Sequence, residues 1–367
     1  MRITLDGTPL LGRRTGIGTY VARVVEALPA AVRRAGADVA VEVMTWSLRG
    51  GRLHDLPEGV RQVGPPVPAR VLREAWARWD TPPVEALVGR TSLVHGTNFV
   101  SPPTRHAREV VTVHDLTYVH LPQTVSPDAA RYRTLVPRAL DRGAHVLTPS
   151  HATAAAVRDH YDLPAGRVSV TPLGVDPGWS GARPPTSAWR ERHGLPERYV
   201  LFVGTLEPRK NLPRLLAAHR MLRADVPDTP ALVLAGQAGR DDAVTDAGDD
   251  VVRTGWLADD ELRALVAGAT AVLLPSLDEG FGLPVLEALA TGRPVLAGDV
   301  PALREVGEQH ATYADPHDVA ALAAGLARVV SAPDDDAAQD ARRAWAARFT
   351  WDATADATLA AYLRVLG

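Results

Sequence analysis

Two glutamates bracket a glycine-containing segment in the last third of the chain. Glu279 and Glu287 lie eight positions apart, a spacing that is common and carries no meaning by itself. The string opens at Ser276, and Gly280-Phe281-Gly282-Leu283-Pro284 separates the two carboxylates. Proline suits the first turn of a helix because the amides of that turn are unpaired. We therefore predict that a helix begins here and that the free amides of residues 281–283 face an anion.

The two carboxylates would have different tasks. Glu279 precedes the predicted helix, where its oxygens can accept hydrogen bonds from ligand hydroxyls. Glu287 lies about two turns into the helix and faces whatever the helix packs against. For Glu287 alone, the alternative is a buried residue that caps a neighbouring element or forms an ion pair.

A second group of residues combines adjacent cations with a strand-to-helix turn. Arg209-Lys210 follows a predicted strand through Gly204-Thr205-Leu206-Glu207-Pro208 and precedes a predicted helix. An arginine binds two anionic oxygens with its fork, and a lysine adds a point charge, so this pair suits a diphosphate. The alternative is an exposed basic pair before a helix.

Two weaker candidates lie in the first half of the chain. Thr15-Gly16-Ile17-Gly18 follows the first predicted strand, and its glycines would let backbone amides approach an anion. Val21 replaces the third glycine of a dinucleotide fingerprint, so NAD binding is weakly supported and a plain turn is the alternative. His114-Asp115 ends a predicted strand, where a histidine can bind a hydroxyl or carry a proton. The alternative is a His–Asp pair that only caps a loop.

Short apolar runs alternate with amphipathic stretches along the whole chain. The runs are rich in Val, Leu and Ile and mostly continuous, which is typical of parallel strands covered on both faces. Strands are predicted at Arg2–Asp6, Val39–Thr45, Ser92–His95, Val110–His114, His145–Thr148, Val168–Thr171, Tyr199–Val203, Ala231–Ala235, Val251–Thr254, Ala271–Leu274 and Pro294–Ala297. Helices are predicted at Asn211–Arg223, Asp260–Ala267 and Trp351–Leu366. This alternation indicates an α/β fold with doubly wound sheets.

Length and composition limit the number of domains and exclude several classes of protein and of functional site. A chain of 367 residues is long enough for two domains, and we place the linker at Asp176–Pro185. The predicted domains are residues 1–176, joined by a tail helix at 350–367, and residues 177–349. The net charge of −3 provides no overall field for nucleic acid, and without cysteine there is neither a disulfide nor a thiolate site. We found no signal peptide or membrane span, so we expect a soluble, cytoplasmic protein.

These motifs together resemble a known family. The chain is similar to the retaining glycosyltransferases of the GT-B fold, in the large family-4 group (glycosyl transferases group 1) of bacterial mannosyl-, glucosyl- and rhamnosyltransferases. The resemblance covers nearly the whole chain and rests on motifs that occur in the family's order: Gly16-Ile17-Gly18, His114-Asp115, Pro172-Leu173-Gly174-Val175-Asp176, Glu207-Pro208-Arg209-Lys210-Asn211 and Glu279 with Glu287. It implies two Rossmann-like domains that face each other across a cleft, with the donor on the C-terminal domain and the acceptor on the N-terminal one.

The resemblance also implies roles for the residues. Arg209 and Lys210 would hold the diphosphate of a nucleotide sugar, Glu279 would contact its sugar, and Glu287 its ribose. The amides of Phe281, Gly282 and Leu283 would contact phosphate or sugar. Gly18, Thr205, Ser276 and Gly280 complete the candidate donor-binding set.

Three further roles follow from the same resemblance. Gly16 would close on the diphosphate, His114 would lie near the reacting sugar carbon, and Thr254-Gly255-Trp256 would meet the nucleobase. The tail helix would cross back onto the first domain. His114, Arg209, Lys210 and Glu279 are therefore the candidate catalytic residues.

The resemblance implies a hexose transfer with retention of configuration and no metal or cofactor besides the donor substrate. Many relatives have arginine where this chain has Thr205, and the Gly204–Asn211 block is similar to a subgroup with polysaccharide mannosyltransferases, which favours GDP-mannose. The acceptor would be a glycan, a lipid-linked sugar or a small molecule, bound by loops such as Arg49–Pro68 and Phe99–Arg108. The alternatives are a nucleotide-sugar epimerase or hydrolase on the same fold and a catalytically silent partner subunit.

Residues Val67–Asp80 allow two interpretations. Trp76 and Trp79 interleave with arginines, so the stretch could be an interfacial helix that meets a lipid-linked acceptor at the inner membrane face. Alternatively, it is a helix that covers the first domain while its arginines extend into solvent.

Overall fold

The computed structural model describes residues 1–48, 51–237, 239 and 251–367. Part of the predicted acceptor loop, residues 49–50, lies outside this range. The chain divides into two compact units. The first contains Met1–Pro122, Ser126–Gly174 and Thr350–Gly367, and the second contains Gln123–Val125 and Val175–Phe349. The predicted linker Asp176–Pro185 therefore belongs to the second unit, where Trp179 is buried, and is not a free connection.

Each unit is built around one sheet of parallel strands. In the first unit these are β1 Arg2–Asp6, β2 Ala40–Met44, β3 Val60–Val63, β4 Leu93–Gly96, β5 Arg108–Thr112, β6 His145–Thr148 and β7 Val168–Val170. In the second they are β8 Tyr199–Val203, β9 Ala231–Ala235, β10 Val251–Gly255, β11 Ala271–Leu274, β12 Val295–Gly298 and β13 Thr312–Ala314.

Helices lie between many of the strands and after the last one. In chain order they are α1 Gly16–Arg34, α2 Ala69–Trp79, α3 Glu85–Val88, α4 Thr117–His120, α5 Pro127–Ala130, α6 Tyr132–Asp141, α7 His151–Tyr161, α8 Ser187–Arg192, α9 Leu212–Asp225, α10 Asp259–Gly268, α11 Leu283–Ala290, α12 Pro301–Gly307, α13 Val319–Ser331, α14 Asp336–Ala346 and α15 Trp351–Leu366.

The strand order confirms the doubly wound fold class. It runs β3-β2-β1-β4-β5-β6-β7 in the first sheet and β10-β9-β8-β11-β12-β13 in the second. In each sheet, strands are added first to one side and then to the other, so the order reverses between β1 and β4 and between β8 and β11. Ligands of such sheets bind outside the carboxyl ends of the strands at this reversal.

The observed strands differ from the predicted ones mainly at the sheet edges. β3 and β13 were not predicted, and both are edge strands, which pair on one side only and need less apolar sequence. The strand predicted at Val110–His114 is β5, which ends at Thr112. His114 therefore lies two residues past the strand, in the loop that follows it.

One side of α2 packs on the core of the first unit. Leu72 and Trp76 are buried in a core cluster with Met44 and Val94, and the Trp76 indole donates to the Pro82 carbonyl at 3.0 Å. This is the second of the two interpretations given above. Trp79 and Val71, on the other side of the helix, are more than half exposed.

The last helix completes the first unit although it follows the second in sequence. α15 packs along α1, and the Arg34 guanidinium pairs with Asp356 at 2.7 Å and Asp352 at 3.1 Å. Gly174, at the end of the first unit's main segment, lies so close to Trp351 that a Cβ there would be 2.3 Å from its amide nitrogen. The C-terminal residues are thus part of the first unit's core.

Candidate active site

Strand order brings together two motifs that are about seventy residues apart in sequence. β8 and β11 are neighbours in the second sheet, with Phe202 beside Leu273. The arginine–lysine turn follows β8, and the segment with Glu279 follows β11, so both lie at the carboxyl edge where the strand order reverses. The Leu277 amide donates to the Arg209 carbonyl at 2.9 Å and joins the two loops directly.

Asn211 holds this arrangement in place. It is buried, takes a left-handed conformation with φ of 62°, and ends a 3-10 turn over Pro208–Lys210. Its side-chain amide donates to the carbonyls of Pro275 at 3.0 Å and Pro316 at 2.6 Å. From the sequence, Asn211 is predicted only as the end of a motif and the first residue of a helix, because these carbonyl partners lie far away in the chain.

Glu279 binds both cations in the structure. Its Oε2 pairs with Arg209 Nη1 at 2.9 Å, and its Oε1 accepts hydrogen bonds from Lys210 Nζ and, at 2.7 Å, from Ser276 Oγ. The side chains of Lys210 and Glu279 are each only 8% exposed. Lys210 is also the only lysine in the chain, whose other basic residues are arginines. A buried ammonium with one carboxylate partner is therefore the centre of the cluster.

Burial and the neighbouring charges shift the pKa values of Glu279 and Lys210. Burial alone would raise the pKa of the Glu279 carboxyl, but Arg209 and Lys210 lower it to about 2. Burial lowers the pKa of the Lys210 amine below its ordinary value, against the opposing charge of Glu279. At neutral pH the Glu279 carboxylate is ionised. Arg209 Nε also lies 3.4 Å from Glu207 Oε2, so the two cations of the cluster lie between two acidic side chains.

The start of α11 supplies amide donors next to the carboxylate. Gly282 precedes the helix with φ of 107°, and Pro284 lies in its first turn, as the sequence predicts. Among the described residues, no group accepts a hydrogen bond from the amides of Gly282 and Leu283. Phe281 is buried and packs edge-on against Phe349, which anchors the turn. Gly280, also buried, joins Glu279 to this turn.

Glu287 has a different environment from Glu279. It is partly buried, and within the described parts of the chain its carboxyl has no hydrogen-bond or ion-pair partner. Burial, followed by the repulsion of Asp259, raises the pKa of this carboxyl to about 7; Arg263 opposes the shift and Asp176 adds to it. Neither predicted alternative, a capping group or an ion-paired residue, describes Glu287.

The turn at Thr254-Gly255-Trp256 also reaches this edge of the sheet. The Gly255 carbonyl accepts from the Gly236 amide at 2.9 Å, and Gly236 packs so tightly that a Cβ there would lie 2.0 Å from the Gly204 carbonyl oxygen. Thr205 follows Gly204 and is partly exposed. Trp256, the last residue of this turn, is 44% exposed.

The first unit holds the remaining candidates. α1 begins at Gly16, and Gly18 lies where a Cβ would be 2.9 Å from the Pro9 carbonyl. His114 is buried, and its Nε2 lies 2.9 Å from the Thr97 carbonyl oxygen. Because a carbonyl only accepts, Nε2 carries the proton and Nδ1 is an acceptor. Burial lowers the pKa of His114, so the ring is neutral at pH 7.

A buried polar chain next to His114 was not predicted. Tyr362 of α15 bonds to His95 Nδ1 at 2.6 Å, His95 Nε2 bonds to Thr112 at 2.7 Å, and Thr112 bonds to Tyr20 at 3.0 Å. The Tyr20 ring then meets the His114 ring edge-on, with centroids 5.2 Å apart. Burial lowers the pKa of His95 to about 3, so this ring is neutral. Only His95 and Thr112 lie on neighbouring strands, so local sequence held no signal for the chain.

The second unit thus combines two neighbouring cations, an ionised carboxylate and, at the start of α11, two amides that bond to no described residue. Such a group binds a phosphate-bearing ligand and stabilises negative charge that develops on it. Across the described residues, no three His, Asp or Glu side chains are arranged to hold a metal ion. No helix within the described ranges is long and apolar enough to cross a bilayer.

Comparisons with known proteins identify one family over most of the chain. The family described as "Glycosyl transferases group 1" matches residues 197–332, and "Glycosyltransferase Family 4" matches residues 14–179. The chain is 31% identical over 310 residues to the O-antigen chain mannosyltransferase B of Escherichia coli, a match that covers 79% of this chain and 77% of that protein.

Solved structures share the fold over the whole chain. Sucrose-phosphate synthase from Thermosynechococcus elongatus superposes with a TM-score of 0.76 at 23% identity, covering 99% of this chain and 98% of that one. The Anabaena protein HepE, in complex with UDP and glucose, gives a TM-score of 0.68 at 18% identity and covers 99% of both chains.

Proposed function

The chain belongs to the glycosyltransferases of group 1 and family 4, and from this membership we propose that it transfers mannose, with retention, from GDP-mannose to a hydroxyl of a saccharide acceptor. One observation carries the proposal. Arg209 and Lys210 converge on Glu279 beside the free amides at the start of α11, which is a site for a diphosphate next to a hydroxyl-bearing sugar.

The chemistry follows from where charge develops. When the bond between the anomeric carbon and the diphosphate oxygen breaks, negative charge collects on the leaving diphosphate. Arg209, Lys210 and the amides of Gly282 and Leu283 would stabilise that charge without a metal, because they are already in place before the reaction. The acceptor oxygen would form the new bond on the same face of the sugar, and its proton would pass to a leaving phosphate oxygen.

His114 would then orient the sugar and would not act as the general base. Its ring is neutral, its Nε2 proton is engaged with the Thr97 carbonyl, and its Nδ1 can accept a hydrogen bond from a sugar hydroxyl. Gly16, at the start of α1, would contribute backbone amides to the diphosphate. Trp256 would stack on the nucleobase.

The choice of donor rests on the relatives. The Escherichia coli relative is named a mannosyltransferase, which supports mannose, whereas HepE was solved with UDP and glucose. We therefore test the base directly by calorimetric titration with GDP, UDP and dTDP. Metal-independent binding of GDP in preference to the other two is the expected result, and preference for UDP would overturn the assignment of GDP-mannose.

Lys210→Ala tests the diphosphate site. We expect nucleotide affinity to fall and turnover to decrease by about 10²-fold or more, because a preorganised donor to the leaving group is lost. Arg198→Ala is the control, since Arg198 is a half-exposed cation of the same unit that pairs with Asp228 on the surface. Full turnover in the Lys210 variant would contradict the assignment of this residue.

The single lysine allows a second measurement that does not depend on knowing the acceptor. An amine-selective reagent can label only Lys210 and the N-terminus, and the Lys210→Ala protein gives the N-terminal background. The nucleotide that binds should protect Lys210 from labelling. Labelling that saturating nucleotide leaves unchanged would place the nucleotide elsewhere.

The competing functions have distinct products. An epimerase or hydrolase on this fold would release an epimer or free sugar from the donor rapidly in the absence of any acceptor. A silent partner subunit would bind nucleotide without turnover. The intact group of Arg209, Lys210, Glu279 and Glu287 favours the transferase.

Contact with a membrane surface is a smaller proposal within the same function. The exposed Trp79 and Val71 of α2, with Arg70 beside them, would meet the headgroups that carry a lipid-linked acceptor. Co-sedimentation with anionic liposomes should decrease in Trp79→Ser. Trp76 is unsuitable for this test because it is a core residue.

A further inference from the structure

The first unit contains an open cavity of about 300 Å³ that is lined by none of the candidate catalytic or donor-binding residues and includes part of the predicted acceptor loop. One wall is the segment after β1, with Leu10, Leu11 and Arg14, and the side of α1 at Val25. The other wall is the connection between β2 and β3, whose residues 52–57 all line the cavity. The volume is at the lower end of the range for small-molecule sites and suits about one sugar ring.

Both walls are held by hydrogen bonds to the sheet. After β1, the Thr8 amide donates to Asp6 Oδ1 at 2.9 Å, and Thr8 Oγ1 accepts from the Trp46 amide at 3.0 Å. The other wall is held by Gln62 of β3, whose Oε1 accepts from the Leu53 amide at 2.8 Å. The cavity is therefore preformed, and a ligand need not order its walls on binding.

The charged groups of the cavity are available to a ligand. Arg14, Arg52, His54 and Asp55 are exposed, and none has a hydrogen-bond or ion-pair partner among the described residues. The remaining charged lining residue, Glu26, is paired with Arg23 at 2.8 Å. Two free guanidiniums therefore oppose one free carboxylate, and the cavity favours an anionic group that an arginine can grip with two hydrogen bonds.

The rest of the lining is apolar. Leu10, Leu53, Leu56 and Pro57 surround the charged side chains. The C–H faces of a sugar ring pack on aliphatic side chains, and its edge carries hydroxyls and charged substituents. The aliphatic residues of the cavity suit the faces, and its charged residues suit the edge.

We propose that this cavity binds the acceptor of the transfer reaction through a sugar unit that bears a carboxylate or a phosphate. The inference rests on the proposed transferase function and adds the chemical class of the acceptor. Arg14 and Arg52 bind the anionic group, Asp55 accepts a hydrogen bond from a ring hydroxyl, and the aliphatic residues pack against the ring.

The test measures binding of three probes to the full chain by ligand-observed NMR titration. Mannose 6-phosphate and methyl glucuronide carry the two candidate anions, and methyl mannoside is the neutral counterpart. We expect at least one anionic probe to bind more tightly than methyl mannoside. The better of the two identifies phosphate or carboxylate as the group, and equal affinity for all three probes would overturn the proposal.

Variants that remove a positive charge and a variant that removes a negative charge should change the affinity for the anionic probe in opposite directions, which general damage to the structure would not do. Arg52→Gln and Arg14→Gln should each weaken the anionic probe by about tenfold, because a charge-assisted hydrogen bond is lost. Asp55→Asn should strengthen it, because a like charge is removed. Arg33→Gln, at an exposed arginine of α1 outside the cavity, is the matched control. If the three cavity variants bind the anionic probe as the unaltered protein does, the cavity is not its site.

The nucleotide titration distinguishes this proposal from the one it rests on. Arg52→Gln should bind GDP normally and show a raised KM for the acceptor, whereas Lys210→Ala should lose GDP and keep the anionic probe. If the unaltered protein binds no nucleotide, the proposed function fails while the cavity result stands. If it binds nucleotide but neither anionic probe, the function stands and the cavity proposal fails.

Discussion

Glu279 and Glu287, on either side of the start of α11, have pKa values shifted in opposite directions because their surroundings differ. Glu279 is ionised and binds two cations and a serine hydroxyl, with its pKa lowered to about 2 against the effect of burial. Glu287 is partly buried near Asp259 and Asp176, and its pKa is raised to about 7. A pair of carboxyls whose pKa values differ in this way has divided roles, and here Glu279 fixes the cations while Glu287 can donate or accept.

The raised pKa of Glu287 makes stability depend on pH. Between its ordinary pKa of 4.5 and about 7, the folded chain holds a proton that the unfolded chain has released, so stability falls as pH rises through this window. Glu287→Gln removes this penalty. We expect the variant to gain on the order of 1–2 kcal/mol over the unaltered protein at pH 8 and little at pH 4.5.

Thermal or urea unfolding at several pH values measures this difference. Glu197→Gln is the control, because Glu197 is an exposed glutamate of the same unit, and its substitution should change stability little at any pH. A Glu287→Gln protein whose advantage shrinks as pH rises from 4.5 to 8 would show that the sign is wrong.

The elements around the site are positioned by close backbone approaches at glycine. Gly282 has φ of 107°, and a Cβ there would lie 2.5 Å from Leu303 Cδ2 of α12. Gly236 allows β9 to come against Gly204, where a Cβ would lie 2.0 Å from a carbonyl oxygen. These contacts let the ends of β8, β9 and β11 present their loops at one edge.

Gly282→Ala tests how strictly the turn before α11 requires glycine at this residue. The added methyl is strained by the positive φ and collides with Leu303, so we expect a loss of about 1–3 kcal/mol in stability. Nucleotide affinity should also fall, because the amides of residues 282 and 283 shift. Unfolding curves and calorimetry with GDP measure the two effects.

Gly181→Ala provides the matched comparison in the same unit. No atom lies within 4 Å of the Cβ that it would add, and its φ is not in the left-handed region. It should leave both stability and nucleotide affinity nearly unchanged. Equal effects of the two substitutions would refute the role given to Gly282.

At the scale of the whole molecule, the chain returns to its first unit after completing its second. Leu359 and Tyr362 of α15 are buried in the first unit, and Tyr362 begins the polar chain through His95 to Tyr20 beside His114. The last sixteen helical residues therefore stabilise strands that lie more than 250 positions earlier. The polar chain also connects α15 to His114, a candidate catalytic residue of the same unit.

Leu359→Ala should destabilise the first unit selectively. Truncation of a fully buried leucine costs about 2–5 kcal/mol, and this residue packs in the first unit. Amide hydrogen exchange should therefore accelerate in α1 and in β4, while β8 and β11 keep their protection. Met221→Ala, at an exposed side chain of α9, is the control and should leave both units protected. Faster exchange confined to the second unit would contradict the assignment of α15.

The sequence by itself determined the class of fold and most of the elements. Continuous apolar runs identified β8, β9 and β11 with the bounds that the structure has, because a strand buried on both faces needs an unbroken apolar sequence. It also predicted a helix with Pro284 in its first turn, which the structure has, and it named Arg209, Lys210 and Glu279 as candidates, because neighbouring residues carry these signals.

Only the tertiary structure decided which of these residues meet. Strand order placed β8 beside β11 and so joined Lys210 to Glu279. Packing also left the Glu287 carboxyl without a partner among the described residues and buried Trp76 in the core of the first unit. It also brought Tyr362 to His95. Each of these contacts joins residues that local sequence cannot relate, since strand order and burial depend on how the whole chain packs.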